Sequence, residues 1–484
     1  MTSTRGRLLG ALAALAAAAA GCSDNPFGAG TACTPAAEKA RLLATAQDWY
    51  LYQDLVPGTA QYQQLVPTPF DPGAFATPQD LLDGFTAAAR AKHEDRGWSY
   101  LLTQAEAQQY FQSGQSAGYG YGYVLPAAGP FAGKLVLTQV MGGSPAALAG
   151  FARGDQILAV GSTAQTMTDV TTLVGQGTLG TALSGSTPGT PKVLSVLPRG
   201  QTTAVTRSMT SAVYDLDPVV SKVIASPLGK PVGYVLLRTF VTPAEQKLRD
   251  AFAAFNAAGV KDVLVDVRYD GGGLLATARV LASLLHPAAG ELMYQGQYNA
   301  NHAGDSWSES FGDEANRLPA VNRVAFITTS GTASASELVP NALAAYLGQS
   351  LAVVGGRTYG KPVGQTPFAL GSCQDQLYLI SFQLQNRAGF GGYYDGLPDA
   401  AGQFGGASCA ADDDLAHELG DPAETSTGQA LAFVDGGAAS CTAIPPATAT
   451  AGAAPTGLSA ARAAAIYPRP ARPSPAQLEM PGLF

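Results

Sequence analysis

The chain has 484 residues, enough for two or three domains with a large buried core. Its 46% hydrophobic and 13% charged residues, with 57 glycines and 32 prolines, exclude a charged disordered chain and describe a loop-rich globular one. The net charge of −8 comes without a basic block, which excludes nucleic acid as an expected partner, because phosphate contacts supply most of that affinity.

At the N-terminus, Arg5 and Arg7 precede an apolar run from Leu8 to Ala20 that ends at Gly21-Cys22. This run is too short for a comfortable permanent span, so residues 1–21 read as a cleaved signal peptide. A small residue directly before a cysteine resembles the bacterial lipoprotein signal. That resemblance implies lipidation of Cys22 and a bacterial cell-envelope location. The chain would be anchored facing the periplasm, with Ser23 favouring the outer membrane; ordinary cleavage would leave it secreted. Cys33, Cys373, Cys409 and Cys441 then remain, enough for two disulfides with three possible connectivities. Cys373 and Cys409 flank one strand-and-loop unit and are the preferred pair, leaving Cys33 with Cys441. Free buried thiols are the alternative.

Residues 22–35 form a small-residue linker, and 36–112 a helical domain. Leu42, Leu43, Ala46, Trp49 and Tyr50, then Leu81, Leu82, Phe85 and Ala89, recur at helical spacing. Thr77-Pro78-Gln79-Asp80 marks a helix start. In residues 113–210, glycines alternate with tyrosines from Gly118 to Tyr123, as in a strand closely approached on one face. From Lys134 to Val160 the pattern is strand, Gly143-Ser144-Pro145-Ala146-Ala147, short helix, Arg153-Gly154-Asp155, strand. This segment resembles a PDZ domain of the bacterial protease-associated type, which implies a groove that accepts an extended chain end.

Residues 211–440 alternate strands and helices. Strands are predicted at 232–237, 262–267, 324–328 and 351–354, with helices at 243–258, 274–285 and 337–346. The alternation argues for an α/β core with a largely parallel sheet covered by helices. Residues 441–484 form an Ala/Pro-rich tail.

Within that core lies Gly331-Thr332-Ala333-Ser334-Ala335-Ser336-Glu337-Leu338, a small-residue turn presenting a serine at the start of an apolar helix. Ser334 and Glu337 also fit a capping box, and the two roles can coexist. Backbone N–H groups at a helix start favour developing negative charge, so the Ala335 N–H is a candidate oxyanion donor. Thr358-Tyr359-Gly360-Lys361-Pro362-Val363-Gly364-Gln365 follows, with Lys361 placed 27 residues after Ser334. A lysine acting as base needs its pKa brought from about 10.4 to about 7–8, which burial in an apolar site can supply. Gln365 would orient the amine. Gly355 to Lys361 also matches a phosphate loop, but Pro362 replaces the required hydroxyl and removes an N–H, which argues against a nucleotide site. Asp266-Val267-Arg268-Tyr269-Asp270-Gly271-Gly272-Gly273 runs a buried strand into glycines that let backbone approach a ligand.

Together these segments resemble the C-terminal processing (tail-specific) protease family of serine peptidases. The pattern is a PDZ domain, a strand ending in Asp-Leu-Arg and two glycines, then Ser-Ala-Ser-Glu, Thr-Tyr/Phe-Gly-Lys and a glutamine. The resemblance implies a crotonase/ClpP-like αβ protease core, with Ser334 as nucleophile, Lys361 as general base, Gln365 as its partner, and Ala335 and Gly272 as oxyanion donors. Tyr269-Asp270-Gly271 replaces the usual Asn-Asn-Pro, which leaves the exact oxyanion glycine open, and Ser336 is a rival nucleophile. Substrates would be unfolded or partly folded exported proteins with apolar C-termini. The alternative is a catalytically silent binding protein for apolar ligands or chain ends. No cofactor is implied. His93, His286, His302 and His417 show no ligand spacing, so no metal is expected. Asp412-Asp413-Asp414 reads as a solvated acidic turn.

Overall fold

The computed structural model describes residues 33–185, 187–445 and 475–479. The segment expected to be a signal peptide, Cys22, and residues 446–474 and 480–484 of the tail lie outside the described residues. Among those described, no helix is long and apolar enough to cross a membrane.

The four strands predicted in the α/β core lie in one six-stranded sheet whose spatial order follows chain order, with Val219–Ala225 and Ala407–Ala410 as further strands at its two edges. Five of its strands, Pro231–Leu237, Asp262–Asp266, Arg323–Thr328, Leu351–Gly355 and Ala407–Ala410, run parallel. Val219–Ala225 pairs antiparallel at one edge. The central strands are nearly continuous apolar runs because both faces are covered. Alternate residues divide between the two faces. Val235, Val263, Phe326 and Val353 meet the helices Thr242–Ala257, Leu275–Leu285 and Ala335–Leu347. Tyr234, Leu264, Ile327 and Val354 meet Ala430, Leu431 and Phe433 of the helix Thr425–Gly436. Truncating a side chain such as the buried Phe255 to alanine would cost about 3–5 kcal/mol.

A second, antiparallel sheet was not legible as such. The hairpin Val363–Ala369 with Asp375–Asn386 pairs along one edge with both Tyr100–Thr103 and Leu292–Tyr298. The helix Pro35–Trp49 and the helix Pro78–Phe85 pack on this hairpin, so Leu42, Leu82, Phe85 and Trp98 share one core with Val363, Leu379 and Ile380. The start predicted at Thr77 is present, with Asp80 N–H to Thr77 Oγ1 and Thr77 N–H to Asp80 Oδ2 both at 3.0 Å.

Between these parts, residues 119–210 build a separate sheet of Tyr121–Val124, Leu135–Val140, Gln156–Gly161, Pro191–Leu197 and Val205–Thr210, with Thr168–Asp169 on its flank. It encloses its own core around Leu137, Ile157, Leu173 and Leu194. A two-stranded ribbon, Gln115–Gly118 with Ala212–Asp215, leads into and out of this module.

Two expectations fail. The disulfides join Cys33 to Cys373 and Cys409 to Cys441, rather than Cys373 to Cys409, with Cα separations of 5.0 and 4.6 Å. Cys373 sits in the hairpin turn beneath the first helix, whereas Cys409 lies on the edge strand beside the turn that ends the Thr425–Gly436 helix. The solvated acidic turn fails in part: Asp412 is exposed, whereas Asp413 is tied to two arginines. Asp413 Oδ1 accepts from Arg153 Nη2 at 2.6 Å and from Arg268 Nη1 at 3.1 Å, and Tyr269 donates to its other oxygen.

Candidate active site

The strand Arg323–Thr328 ends in a turn that feeds directly into the helix Ala335–Leu347, and Ser334 stands at the junction with φ +57° and ψ −117°. An ordinary N-cap serine has extended backbone. A left-handed serine costs strain, and the surrounding turn must hold it in place. Thr332 Oγ1 donates to Val267 O at 2.8 Å and Ala333 N–H to Asp270 O at 3.0 Å, so the turn is tied to the Asp266–Gly273 loop. Tyr359 N–H donates to Thr332 O at 2.8 Å, tying it also to the lysine loop.

Glu337 completes the junction. Its Oε2 accepts from Ser334 N–H at 2.9 Å and from Lys361 N–H at 2.8 Å, while Oε1 accepts from Gly360 N–H at 2.7 Å and Thr358 Oγ1 at 2.5 Å. One carboxylate oxygen therefore bridges the backbones of the serine and the lysine. Burial raises the Glu337 pKa, and the four donors oppose that shift. The sequence signal for this bridge was the capping-box glutamate, whose reach to the lysine loop no local pattern reveals.

Lys361 is buried, and its Nζ contacts Gln365 Oε1 at 3.4 Å. Gln365 Nε2 donates to Trp98 O at 2.8 Å, and the lysine Nζ lies 5.9 Å from the Trp98 ring centroid. Ser334 and Gln365 line one cavity of about 440 Å³, with Phe111, Leu274, Tyr378 and Phe382 among its apolar walls. No charged side chain lines this cavity among the described residues.

The oxyanion candidates separate. Ala335 opens the helix beside Ser334. Gly272, with φ +96°, packs so closely that a Cβ would stand 2.8 Å from Ala335 N and 2.9 Å from Ser334 Cβ. Its N–H, however, donates to Asp270 Oδ1 at 2.8 Å, while the next residue, Gly273, lines the cavity. Burial pushes the Asp270 carboxyl well above the usual range, with the Gly272 N–H and Ser336 opposing. Ser336 is fully buried and donates to Asp270 O at 3.0 Å, which commits it to structure rather than to the cavity. Beneath the loop, Arg268 and Asp266 form a fully buried pair at 2.7 Å, joined by Glu424 at 2.9 Å.

Comparison with known proteins falls on this same region. Residues 231–389 match the model of peptidase family S41. A carboxyl-terminal-processing protease of Synechocystis sp. is 30% identical over 244 residues, covering 50% of this chain and 52% of the relative. A chloroplastic C-terminal processing peptidase of Tetradesmus obliquus is 27% identical, covering 48% of each chain. The chain thus spans about half the length of the curated relatives it matches. A solved structure described as an S41 protease of Bacteroides fragilis superposes with a TM-score of 0.61 at 22% identity, covering 85% of this chain and 99% of its own. The last likeness establishes a shared multi-domain α/β fold. The segment matched by the peptidase family model carries Gly272, Ser334, Lys361 and Gln365.

Proposed function

We propose that the protein is a serine endopeptidase with a Ser334–Lys361 dyad, acting on unfolded or partly folded exported proteins. Ser334 Oγ attacks the carbonyl carbon of a peptide bond, and its proton passes to Lys361 Nζ. Gln365 orients the amine. The tetrahedral oxyanion takes the Ala335 N–H and, because the Gly272 N–H is engaged by Asp270, the Gly273 N–H. Collapse expels the amine, which takes its proton from Lys361, and water then attacks the acyl-enzyme by the same route in reverse. The observation that carries this reading is the Glu337 oxygen shared by the serine and lysine backbones.

Substrate capture is assigned to the module of residues 119–210, read as PDZ-like. Its Tyr121–Val124 strand is an edge paired to Leu135–Val140, an arrangement that suits addition of an extended apolar chain end. Holding the chain end raises the local concentration of nearby peptide bonds. A lipid on Cys22 would confine the reaction to a membrane face of the cell envelope.

The test is cleavage of an unfolded protein with an apolar tail, followed by mass spectrometry, for wild type, Ser334→Ala and Lys361→Ala. The expected outcome is cleavage by wild type and a loss of at least ~1,000-fold in both variants. Intact substrate in all three, with the tail still bound, would instead establish a binding protein.

A further inference from the structure

The lysine loop is held from behind by a turn that lies far outside the 231–389 segment. Asp95, fully buried, accepts from Trp98 N–H at 2.8 Å, from Ser99 Oγ at 2.8 Å and from Tyr50 OH at 3.0 Å. Ser99 Oγ in turn accepts from Ile380 N–H of the hairpin at 3.2 Å. This turn projects Arg96 across the lysine loop. Arg96 Nη2 donates to Gly360 O at 2.5 Å, to Tyr359 O at 3.0 Å and to Tyr394 O at 3.3 Å. Its guanidinium also stacks 4.4 Å from the Tyr359 ring and 4.8 Å from the Trp98 ring. Among the described residues it forms no ion pair with a carboxylate. Its polar contacts are carbonyls, two of them in the two residues immediately before Lys361.

The other end of the same turn reaches the lysine's partner, because Trp98 O is the acceptor of Gln365 Nε2 and the Trp98 ring lies against Lys361 Nζ. Glu337 holds the loop through the Gly360 and Lys361 N–H groups, and Arg96 holds its carbonyls. Gly360 has φ +89°, and a Cβ there would collide with Tyr394 O, so the loop passes through a backbone state that must be enforced from outside.

We propose that Arg96 is a positioning residue of the reaction, fixing the Tyr359–Gly360 carbonyls and through them the direction in which Lys361 faces Ser334. The proposal rests on the Ser334–Lys361 reading. One nitrogen, Nη2, meets all three carbonyls while the guanidinium plane stacks on two rings, and an ammonium cannot reproduce that stacking, so lysine should serve poorly. Misplacement of a base by about 1 Å can cost ~100-fold in rate.

The experiment compares the whole chain as wild type, Arg96→Lys, Arg96→Gln, Arg96→Ala and Ser334→Ala on one unfolded substrate. A serine-reactive phosphonate counts competent sites at its end point, so that a smaller folded fraction is not mistaken for a slower enzyme. Expected is a fall in kcat per titrated site of about 10–100-fold in Arg96→Gln and Arg96→Ala, with KM within about twofold. Millimolar guanidinium should recover part of the Arg96→Ala loss while leaving wild type unchanged. A kcat per titrated site within about twofold of wild type in Arg96→Gln and Arg96→Ala overturns the proposal and leaves the dyad standing. Cleavage that survives in Ser334→Ala overturns the dyad and the proposal with it.

Discussion

Asp270 shows how a single buried carboxyl can carry a pH dependence. One of its oxygens holds the Gly272 N–H, its carbonyl holds Ser336 and Ala333, and the side chain is fully buried. Its pKa in the folded chain stands well above the ordinary carboxyl value, through burial first. Between about 3.9 and that raised value the folded state binds a proton that the unfolded state has released, so stability falls as pH rises through this window. Asparagine keeps the acceptor for Gly272 and cannot ionise. Asp270→Asn should therefore lose less stability than wild type as pH rises above the ordinary carboxyl range, read as the urea unfolding midpoint at each pH. Parallel movement of the two midpoints would mean that Asp270 titrates alike in both states. The sequence exposed Asp270 only as a departure from a motif; its burial depends on Ser336 and Gly272 closing over it.

At the scale of elements, what was legible followed the range of the interaction. The four central core strands and the three helices between them were readable because each is a short apolar run or a 3.6-residue pattern bounded by turn residues, whereas the edge strands and the Thr425–Gly436 helix were not. The hairpin and its partners were not, since Tyr100 meets Tyr378 and Tyr294 meets Asn386 across long stretches of chain. Arg96 was invisible for the same reason, with 263 residues separating it from Tyr359. Disulfide pairing failed likewise, because nearness in sequence stood in for nearness in space. The observed pairs close loops with sequence separations of 340 and 32 residues. In the chain-entropy account these contribute about 6 and about 4 kcal/mol. Opening Cys33–Cys373 with serines should therefore lower the unfolding midpoint more than opening Cys409–Cys441. It should also loosen the Pro35–Trp49 helix from the hairpin, seen as faster amide exchange in residues 35–49. Equal midpoint losses in the two double variants would show that native packing, not loop closure, dominates both.

For the whole molecule, the question is what fixes the 119–210 module to the core, given that only a two-stranded ribbon links them covalently. Arg153 is the centre of the answer. It is almost wholly buried, donates to Thr138 O at 2.7 Å within its own module, and crosses to Tyr269 OH at 2.9 Å, Asp413 Oδ1 at 2.6 Å and His417 O at 3.0 Å. Burial alone would raise the Asp413 pKa, but Arg153 and Arg268 overcome it and hold the carboxyl below its usual value. A depressed carboxyl stabilises the folded state above about pH 3.9, and that contribution disappears as pH falls through the lower folded value. Removing one partner of a buried pair costs about 3–5 kcal/mol, because the remaining charge stays desolvated. Arg153→Met should therefore detach the module thermodynamically: its sheet would unfold in a separate, earlier denaturant transition, and wild type would approach the same behaviour in acid. The tie ends on Tyr269, whose φ of +62° opens the loop that carries Asp270 and the glycines, so exchange protection of residues 270–273 should fall together with that of the module. A single transition displaced by less than ~1 kcal/mol would assign the docking to packing along the rest of the contact, and would leave the Asp413 network as a bystander to it.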